Sequence, residues 1–498
     1  MDLENQDPTV DASKEASAPR KRAPRRVVST DAPVEKTAGE PTTSDEGEQK
    51  PRRRRAPAKT EEQAETANTE SSDANGDASG GDEGDENGGG FNRNRNRGRG
   101  RDRRRGGRTS FGEEGEPEIS DDDVLIPIGG ILDVLDNYAF VRTQGYLPGP
   151  TDVYVSLGQV KKYNLRKGDA VIGAIRQPRE GEHPGRQKYN ALVSVDSING
   201  QNVDEAASRV EFAALTAVYP TDRLVMETSA DELSGRALDI FTPIGKGQRG
   251  VIVGAPKTGK SALISTIANA VAENAPDAHL MVVLVDEHPE AITELQRGAK
   301  GEVIASTFDR SADDHTTIAE LAIERAKRLV ELGHDVVVLV DSLTRLARAY
   351  QQAVGGSRGG ANDTAWLYPT KKLFGAARNV ENGGSLTIIA TLVTDTGLPI
   401  DDVVASEVAG SATMEIHVSH DVAAKRLFPA IDIAHSQTRK EELLLAKDEA
   451  SVVAEIRRAL SVTSPDAAMA TVVEHLKSSS SNVEFLVSMQ KKLPTLGL

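Results

Sequence analysis

The chain has 498 residues, a net charge of −16 at pH 7 and no cysteine. Its length allows roughly two to four domains, and the lack of cysteine excludes disulfides, zinc–thiolate sites and thiol catalysis. No apolar stretch is long enough to span a bilayer, and the start of the chain is polar and charged, so we expect a cytoplasmic protein without membrane contact. The negative net charge argues against a uniformly basic protein that coats nucleic acid but allows local basic patches.

The amino-terminal part, residues 1–118, is expected to be a long disordered, charged tail because it is poor in hydrophobic residues and biased in composition. Within it, Phe91–Arg108 is rich in arginine, asparagine and glycine. We interpret this arm as a flexible RNA contact that acts by counterion release. The alternative is a solvating segment that only keeps the protein soluble.

Residues 124–203 alternate short apolar strands with Gly/Pro/Asp turns, which predicts a small β-barrel. Period-two alternation should place aromatic rings and an arginine on one open face, with small apolar residues on the opposite one. Rings beside arginine on an open face suit base stacking, whereas the alternative would bury them in the core. The candidate RNA-binding residues of this segment are Tyr138, Phe140, Arg142, Asp152, Tyr154 and Tyr189.

A connector over residues 204–236 leads to residues 237–498, where apolar strands alternate with long helical patterns. This order predicts an α/β domain, a parallel sheet with helices on both faces. The segment after Glu441 is helical by its pattern. The expected strands are Val251–Val253, Leu280–Val285, Val303–Ser306, Val336–Val340 and Ser385–Val393.

The run Gly254–Ser261 fits the phosphate-loop pattern G-x-x-x-x-G-K-[ST], with an apolar strand before it and a helical pattern after it. Lys260 would place a point charge on the β- and γ-phosphates, and the Ser261 hydroxyl would reach Mg²⁺. The alternative is a Gly/Lys turn without a ligand, which the flanking strand and helix disfavour. The expected nucleotide-binding residues are Gly254, Lys257, Thr258, Gly259, Lys260, Ser261 and Ala262.

Acidic residues follow two of the expected strands. Glu287 comes just after Leu280–Val285, where a carboxylate could orient the water that attacks a phosphate. Asp341 follows Val336–Val340 and is the candidate Mg²⁺ carboxylate. The alternatives are that these acids favour the start of the next helix or cap it.

Thr438 and Glu441 have the spacing of a helix capping box. Arg439 would then lie in the first helical turn, against the helix macrodipole, so helix stability does not explain it. We interpret Arg439 as a catalytic arginine that contacts the γ-phosphate held by a neighbouring subunit. The alternative is a surface arginine screened by salt.

Five motifs together resemble the family of bacterial transcription termination factor Rho over about residues 124–498. The resemblance implies an OB-fold or cold-shock-like RNA-binding barrel followed by a RecA-like P-loop ATPase domain. It also implies a homohexameric ring that uses ATP and Mg²⁺ to translocate 5′ to 3′ on single-stranded RNA, to unwind RNA–DNA hybrids and to release transcripts from RNA polymerase. In this family Phe428 falls where a ring stacks on adenine. The motifs are GQRGVIVGAPKTGKS, VDEHPE, VDSLTRLARAY, FGAARN and KRLFPAID with TRKEELL.

Some positions depart from the family pattern. His288 stands where arginine is usual, and the loop Gly355–Gly360 is short, leaving Arg358 as the obvious RNA-binding cation of the central channel. The segments Thr396–Ile400 and Ala409–Thr413 lack the usual lysines.

Two other functions stay open at this stage. One is a catalytic subunit of a rotary ATP synthase, which would not need an aromatic RNA-binding face. The other is an RNA-binding scaffold that uses ATP only as a structural ligand.

Overall fold

The computed structural model describes residues 123–177, 189–353 and 364–492. The amino-terminal tail with its arm Phe91–Arg108 and the loop Gly355–Gly360 with Arg358 lie outside these residues, so the predictions made for them stay predictions. Within the described ranges, no helix is both long and apolar enough to cross a membrane.

The first described segment forms a five-stranded antiparallel sheet in the order β3-β2-β1-β4-β5. Its elements are β1 Leu125–Val134, β2 Ala139–Arg142, β3 Val153–Val155, the helix α1 Leu157–Lys162, β4 Ala170–Arg176 and β5 Leu192–Ile198. A bridge between Tyr154 and Ala191 joins β3 to the chain just before β5. The two edges of the sheet therefore meet, and the predicted barrel closes around a core that contains Leu132, Val141 and Leu192.

The expected connector is structured. Residues 203–245, which include it, contain α2 Val203–Ala207, β6 Ala217–Val218, β7 Arg223–Leu224, α3 Leu233–Phe241 and β8 Ile244–Gly245. Strand β6 joins the edge of the second sheet, and β7 pairs with β8. Arg236 of α3 is fully buried and donates to the backbone oxygens of Leu476 and Ser479, which ties this segment to the carboxyl-terminal helices.

The second sheet has nine strands, most of them in the order β11-β10-β12-β14-β9-β15-β16. Its remaining strands are β9 Arg249–Gly254, β10 His279–Glu287, β11 Glu302–Thr307, β12 Asp335–Asp341, β13 Arg378–Val380, β14 Ser385–Val393, β15 Met414–Val418 and β16 Gln437–Thr438. The path from β11 to β15 is parallel, whereas β16, β13 and β6 pair antiparallel. All five expected strands are present, and β14 has the expected bounds.

Helices cover both faces of this sheet, as the sequence predicts. They are α4 Lys260–Asn274, α5 Pro289–Gly298, α6 Ala312–Glu331, α7 Leu343–Ala353, α8 Tyr368–Phe374, α9 Pro399–Ala409, α10 His420–Ala424, α11 Lys447–Leu460, α12 Pro465–Lys477 and α13 Asn482–Lys492. One apolar cluster joins α4 and α11–α13 to Ile252 and Leu339, and a second joins α6–α9 to Val251 and Val338. Alternate strand residues therefore face opposite helical layers.

The barrel contacts the second sheet and its helix α6 through specific polar groups. The Tyr146 hydroxyl donates to Glu302 of β11 at 2.6 Å, and Arg166 pairs with Glu331 of α6 at 3.1 Å. Gly168 has a φ of +88°, and a Cβ there would lie 2.4 Å from the carbonyl carbon of Glu324. Only glycine fits this approach of the β-turn to α6.

Candidate nucleotide site and nucleic-acid interface

The expected phosphate loop joins β9 to α4. Two residues of the loop have a positive φ, Gly259 at 96° and Lys257 at 63°. A Cβ at Gly259 would lie 3.4 Å from the Phe428 ring. Thr258 is buried, and its hydroxyl donates to the Ala255 oxygen at 2.8 Å. The Thr258 hydroxyl therefore fixes the loop from its buried side. Ser261 and Ala262 are exposed in the first turn of α4. The amino-terminal N–H groups of this helix favour an anion.

Lys260 is buried under the loop. Its Nζ donates to the carbonyl oxygens of Gly254 at 2.8 Å and Ala255 at 2.6 Å. Burial lowers the pKa of Lys260 to about 8; Arg345 adds to this shift and Asp341 opposes it. The ammonium group thus lies beside the phosphate loop in a poorly solvated position, where its charge acts strongly on an anion.

A hydroxyl and a carboxylate meet where the cation site is expected. The Ser261 hydroxyl donates to Asp341 Oδ2 at 2.7 Å, and the Thr391 hydroxyl donates to Asp341 Oδ1 at 2.7 Å. Asp341 is 7% exposed and ends β12, and Thr391 lies in the neighbouring strand β14. Oxygen ligands of this kind, completed by substrate phosphates, are what Mg²⁺ prefers, so these residues fit the ion.

Glu287 is the last residue of β10, two positions beyond the expected strand. The pairing of β10 with β11 shifts register between Val285 and Glu287, which marks a bulge at this point. Arg345 of α7 donates to the Glu287 carboxylate and, at 2.8 Å, to the Asp286 carbonyl oxygen. The carboxylate is therefore oriented by a fixed cation at the same sheet edge as Asp341, since adjacent parallel strands end together.

Phe428 comes close to the phosphate loop across the fold. Its ring is 45% exposed and lies against Gly259. An exposed ring beside a phosphate loop provides an apolar surface for a nucleotide base. The structure thus brings Phe428 and the phosphate loop together, as the resemblance implied.

Arg439 does not join this group of residues. Thr438 pairs with Met414, which pairs with Gly250, so Arg439 lies near the end of β9 opposite the phosphate loop. The expected capping box is wrong: Thr438 belongs to β16 and its hydroxyl donates to the Pro243 oxygen at 3.0 Å. Lys440 adopts φ 62° and is followed by a 3-10 turn over Glu441–Leu443. Strand pairing with β15 outcompetes the local helix signal.

The predicted aromatic face of the barrel is present. The Phe140 ring lies edge-on to three tyrosine rings, with centroid distances of 5.6 Å to Tyr138, 6.0 Å to Tyr154 and 4.9 Å to Tyr189. Tyr138 is 44% exposed, whereas Ala139 and Val141 are buried. The small residues therefore form the core and the four rings form an outer surface, which favours stacking over the core alternative.

The expectation that Arg142 lies open on this face is wrong. Arg142 is 5% exposed and pairs with Asp133 at 2.5 Å and with Asp152 at 2.7 Å. Burial alone would lower the pKa of Arg142, but the hydrogen bonds to the two carboxylates outweigh it and raise the pKa. The guanidinium still lies 5.3 Å from the Phe140 ring centroid. Asp152, which is 2% exposed, is likewise not on the open face as expected, and its pair with Arg142 lies beneath the aromatic rings.

Sequence reasoning missed three partners of these sites. Thr391 holds Asp341, Arg345 holds Glu287, and Asp133 pairs with Arg142. The signal for Thr391 was a hydroxyl near the end of an apolar strand. The signal for Arg345 was its position shortly after Asp341, and Asp133 carried no signal beyond an acid in an apolar strand.

Comparisons with known proteins agree with this geometry. Residues 128–204 match the family model of the Rho termination factor RNA-binding domain, and residues 235–438 match the nucleotide-binding domain of the ATP synthase alpha/beta family. Transcription termination factor Rho of Pseudomonas fluorescens biotype C is 46% identical over 372 residues, 73% of this chain and 88% of the relative. The chain belongs to the transcription termination factor Rho family.

Other Rho relatives are more similar in sequence but longer. Rho of Streptomyces lividans is 56% identical over 386 residues, 77% of this chain and 54% of the relative. Rho of Mycobacterium tuberculosis (strain CDC 1551 / Oshkosh) is 54% identical over 396 residues, 78% of this chain and 65% of the relative. The chain therefore spans little more than half the length of the Streptomyces relative.

Proposed function

We propose that this chain is an RNA-dependent ATPase that acts as a transcription termination factor. It binds nascent single-stranded RNA, moves along it 5′ to 3′ on ATP hydrolysis, unwinds RNA–DNA hybrids and releases the transcript from RNA polymerase as a homohexameric ring. One observation carries the proposal: a phosphate loop with two strand-end carboxylates and a partly exposed cluster of four aromatic rings occur in one chain of the Rho family.

The nucleotide site supports hydrolysis. The loop N–H groups and the Lys260 ammonium would bind the phosphates of ATP, and Phe428 would stack on the base. Ser261 and Asp341, with Thr391 orienting the carboxylate, would hold Mg²⁺, which would neutralise phosphate charge. Glu287, fixed by Arg345, would orient the attacking water and accept its proton.

The barrel supports RNA capture. Bases can stack on the rings around Phe140, and the buried pairs of Arg142 keep that surface rigid. We extend the RNA contacts to Arg358 in the channel and to the arm Phe91–Arg108, and we assign Arg439 to the nucleotide of a neighbouring subunit. The rotary alternative is not supported, because residues 128–204 match an RNA-binding domain.

Strand displacement tests the motor against the scaffold alternative. The full chain is given an RNA–DNA hybrid with a single-stranded, pyrimidine-rich 5′ RNA extension, and release of the DNA strand is followed with and without ATP. We expect release that needs ATP and is lost in Glu287→Gln. RNA binding without ATP-dependent release would favour the scaffold and refute the motor.

A further inference from the structure

One lysine of the barrel lies between a carboxylate of the barrel and a carboxylate of helix α6. Lys167 is in the turn between α1 and β4, and its Nζ lies 3.3 Å from Asp133 Oδ1 of β1. The same Nζ lies 3.7 Å from Glu320 Oε2 of α6. Two backbone hydrogen bonds of 2.8 Å hold the turn to Leu132, the residue before Asp133. We call Asp133, Lys167 and Glu320 the interdomain bridge.

The barrel end of the interdomain bridge lies beneath the aromatic face. Asp133 is 1% exposed and lies opposite Phe140, the central ring of that face, in the pairing of β1 with β2. Arg142 donates to Asp133 Oδ2, but no hydrogen bond among the described residues reaches Asp133 Oδ1. The buried carboxylates of Asp133 and Asp152 share the guanidinium of Arg142, so the Lys167 ammonium supplies a second positive charge. A buried carboxylate therefore holds Lys167 in place.

The other end of the interdomain bridge reaches the helix that orients Glu287. The Tyr350 hydroxyl of α7 donates to Glu320 Oε1 at 2.8 Å. Burial and the nearby Glu320 carboxylate raise the pKa of Tyr350, so the hydroxyl keeps the proton that it donates. Arg345, which donates to Glu287, lies five residues earlier on the same helix, about 7.5 Å along its axis. A shift of Glu320 thus acts on α7 close to the residue that orients Glu287.

The contact between Lys167 and Glu320 is suited to a switching role rather than to stability. Their side chains are 25% and 44% exposed, and water screens an ion pair at that exposure. The barrel does not depend on this contact, because Gly168 and Arg166 of the same turn contact α6 independently. A weak ion pair whose cation is shared with a buried carboxylate can change its geometry at low cost.

We propose that the interdomain bridge couples RNA on the aromatic face to Glu287, with Lys167 and Glu320 acting as positioning residues. RNA that stacks on Phe140 immobilises this ring and the charges beneath it, which favours one position of the Lys167 ammonium. That position fixes Glu320 and, through it, helix α7. By linkage, a bound nucleotide then raises RNA affinity by the factor by which RNA raises nucleotide affinity. This inference rests on the proposed function and names the residues that connect its two sites.

The effect of RNA on ATP hydrolysis tests the interdomain bridge. The full chain carries Glu320→Gln, which removes the charge that faces Lys167 but keeps an oxygen that accepts from the Tyr350 hydroxyl. The ATPase rate is measured with and without saturating pyrimidine-rich single-stranded RNA. RNA stimulation should fall about two- to fivefold, whereas the rate without RNA and the RNA affinity should stay within about twofold of wild type.

The matched control is Glu324→Gln, the same substitution one turn further along α6. Glu324 pairs with Lys327 and Arg328 of its own helix. RNA stimulation of this variant should therefore stay at the wild-type level, because the interdomain bridge is intact.

A second substitution tests whether the two positioning residues act through one contact. Lys167→Met should reproduce the loss of RNA stimulation, and combining it with Glu320→Gln should cause no further loss, because both break the same contact. If Lys167→Met does not fold by thermal melting, Tyr350→Phe replaces it, since this substitution removes only the hydroxyl that contacts Glu320. Losses that multiply in the double variant would refute the single contact and overturn the proposal.

Binding measurements separate a coupling role from a structural one. The non-hydrolysable ATP analogue adenylyl imidodiphosphate should tighten RNA binding in wild type, and this effect should shrink in Glu320→Gln. Full RNA stimulation in Glu320→Gln, or an equal loss in Glu324→Gln, would overturn the interdomain bridge and leave the proposed function standing. Wild-type ATPase rates that are equal with and without RNA would refute the proposed function, and the interdomain bridge with it.

Discussion

The pKa of Lys260 gives a direct prediction for nucleotide binding. Burial lowers it to about 8 in the free chain, so the side chain is about nine-tenths charged at pH 7 and about one-tenth charged at pH 9. A bound phosphate favours the charged ammonium, so binding above pH 8 must first protonate Lys260. The affinity for an ATP analogue should therefore change little from pH 7 to 7.5 and fall about tenfold between pH 7 and 9, about fivefold of it between pH 8 and 9.

Calorimetry on the full chain in buffers of different ionisation enthalpy measures both the affinity and the proton taken up on binding. The matched control is Lys260→Arg, whose guanidinium stays charged throughout and whose affinity should not depend on pH in this range. Work above pH 7 keeps the terminal phosphate of the nucleotide ionised. A wild-type affinity that is constant to pH 9.5, or an equal slope in Lys260→Arg, would refute the reasoning.

Three other predictions concern the cation site, the aromatic face and the tail. Asp341→Asn should lower ATPase activity about a hundredfold or more. Thr391→Val should lower it about tenfold and raise the Mg²⁺ concentration that activity requires. An unchanged Mg²⁺ titration of Thr391→Val would remove Thr391 from the site. Phe140→Ala should weaken single-stranded RNA binding about tenfold without changing analogue affinity, and unchanged RNA affinity would assign the ring to the core. Deleting Phe91–Arg108 should flatten the salt dependence of RNA binding by about 0.7–1 unit per lost phosphate contact; an unchanged slope would assign the arm to solubility.

Much of the fold was predictable because its signals are local. Apolar runs of Val, Ile and Leu marked every expected strand, and the fixed glycines of the phosphate loop located the β9–α4 junction. Glu287 and Asp341 were predicted as site residues because each follows an expected strand, and the carboxyl ends of parallel strands share one edge of the sheet. Alternation along β2 likewise separated the rings from the small core residues.

What the sequence analysis missed depends on contacts between separate elements of the fold. Arg142 was expected on an open face, but it is buried and pairs with Asp133 and Asp152 from two other parts of the barrel. Thr438 has the local pattern of a helix cap, yet strand pairing with β15 determines its conformation.

The most direct test of the whole account is RNA stimulation of ATP hydrolysis in wild type and in a Tyr138→Ala/Phe140→Ala double variant. ATPase rates are measured with and without pyrimidine-rich single-stranded RNA, at RNA concentrations near the wild-type dissociation constant. We expect RNA to raise the wild-type rate severalfold and to have little effect on the variant, whose rate without RNA stays unchanged. Equal wild-type rates with and without RNA would contradict the coupling of the two sites.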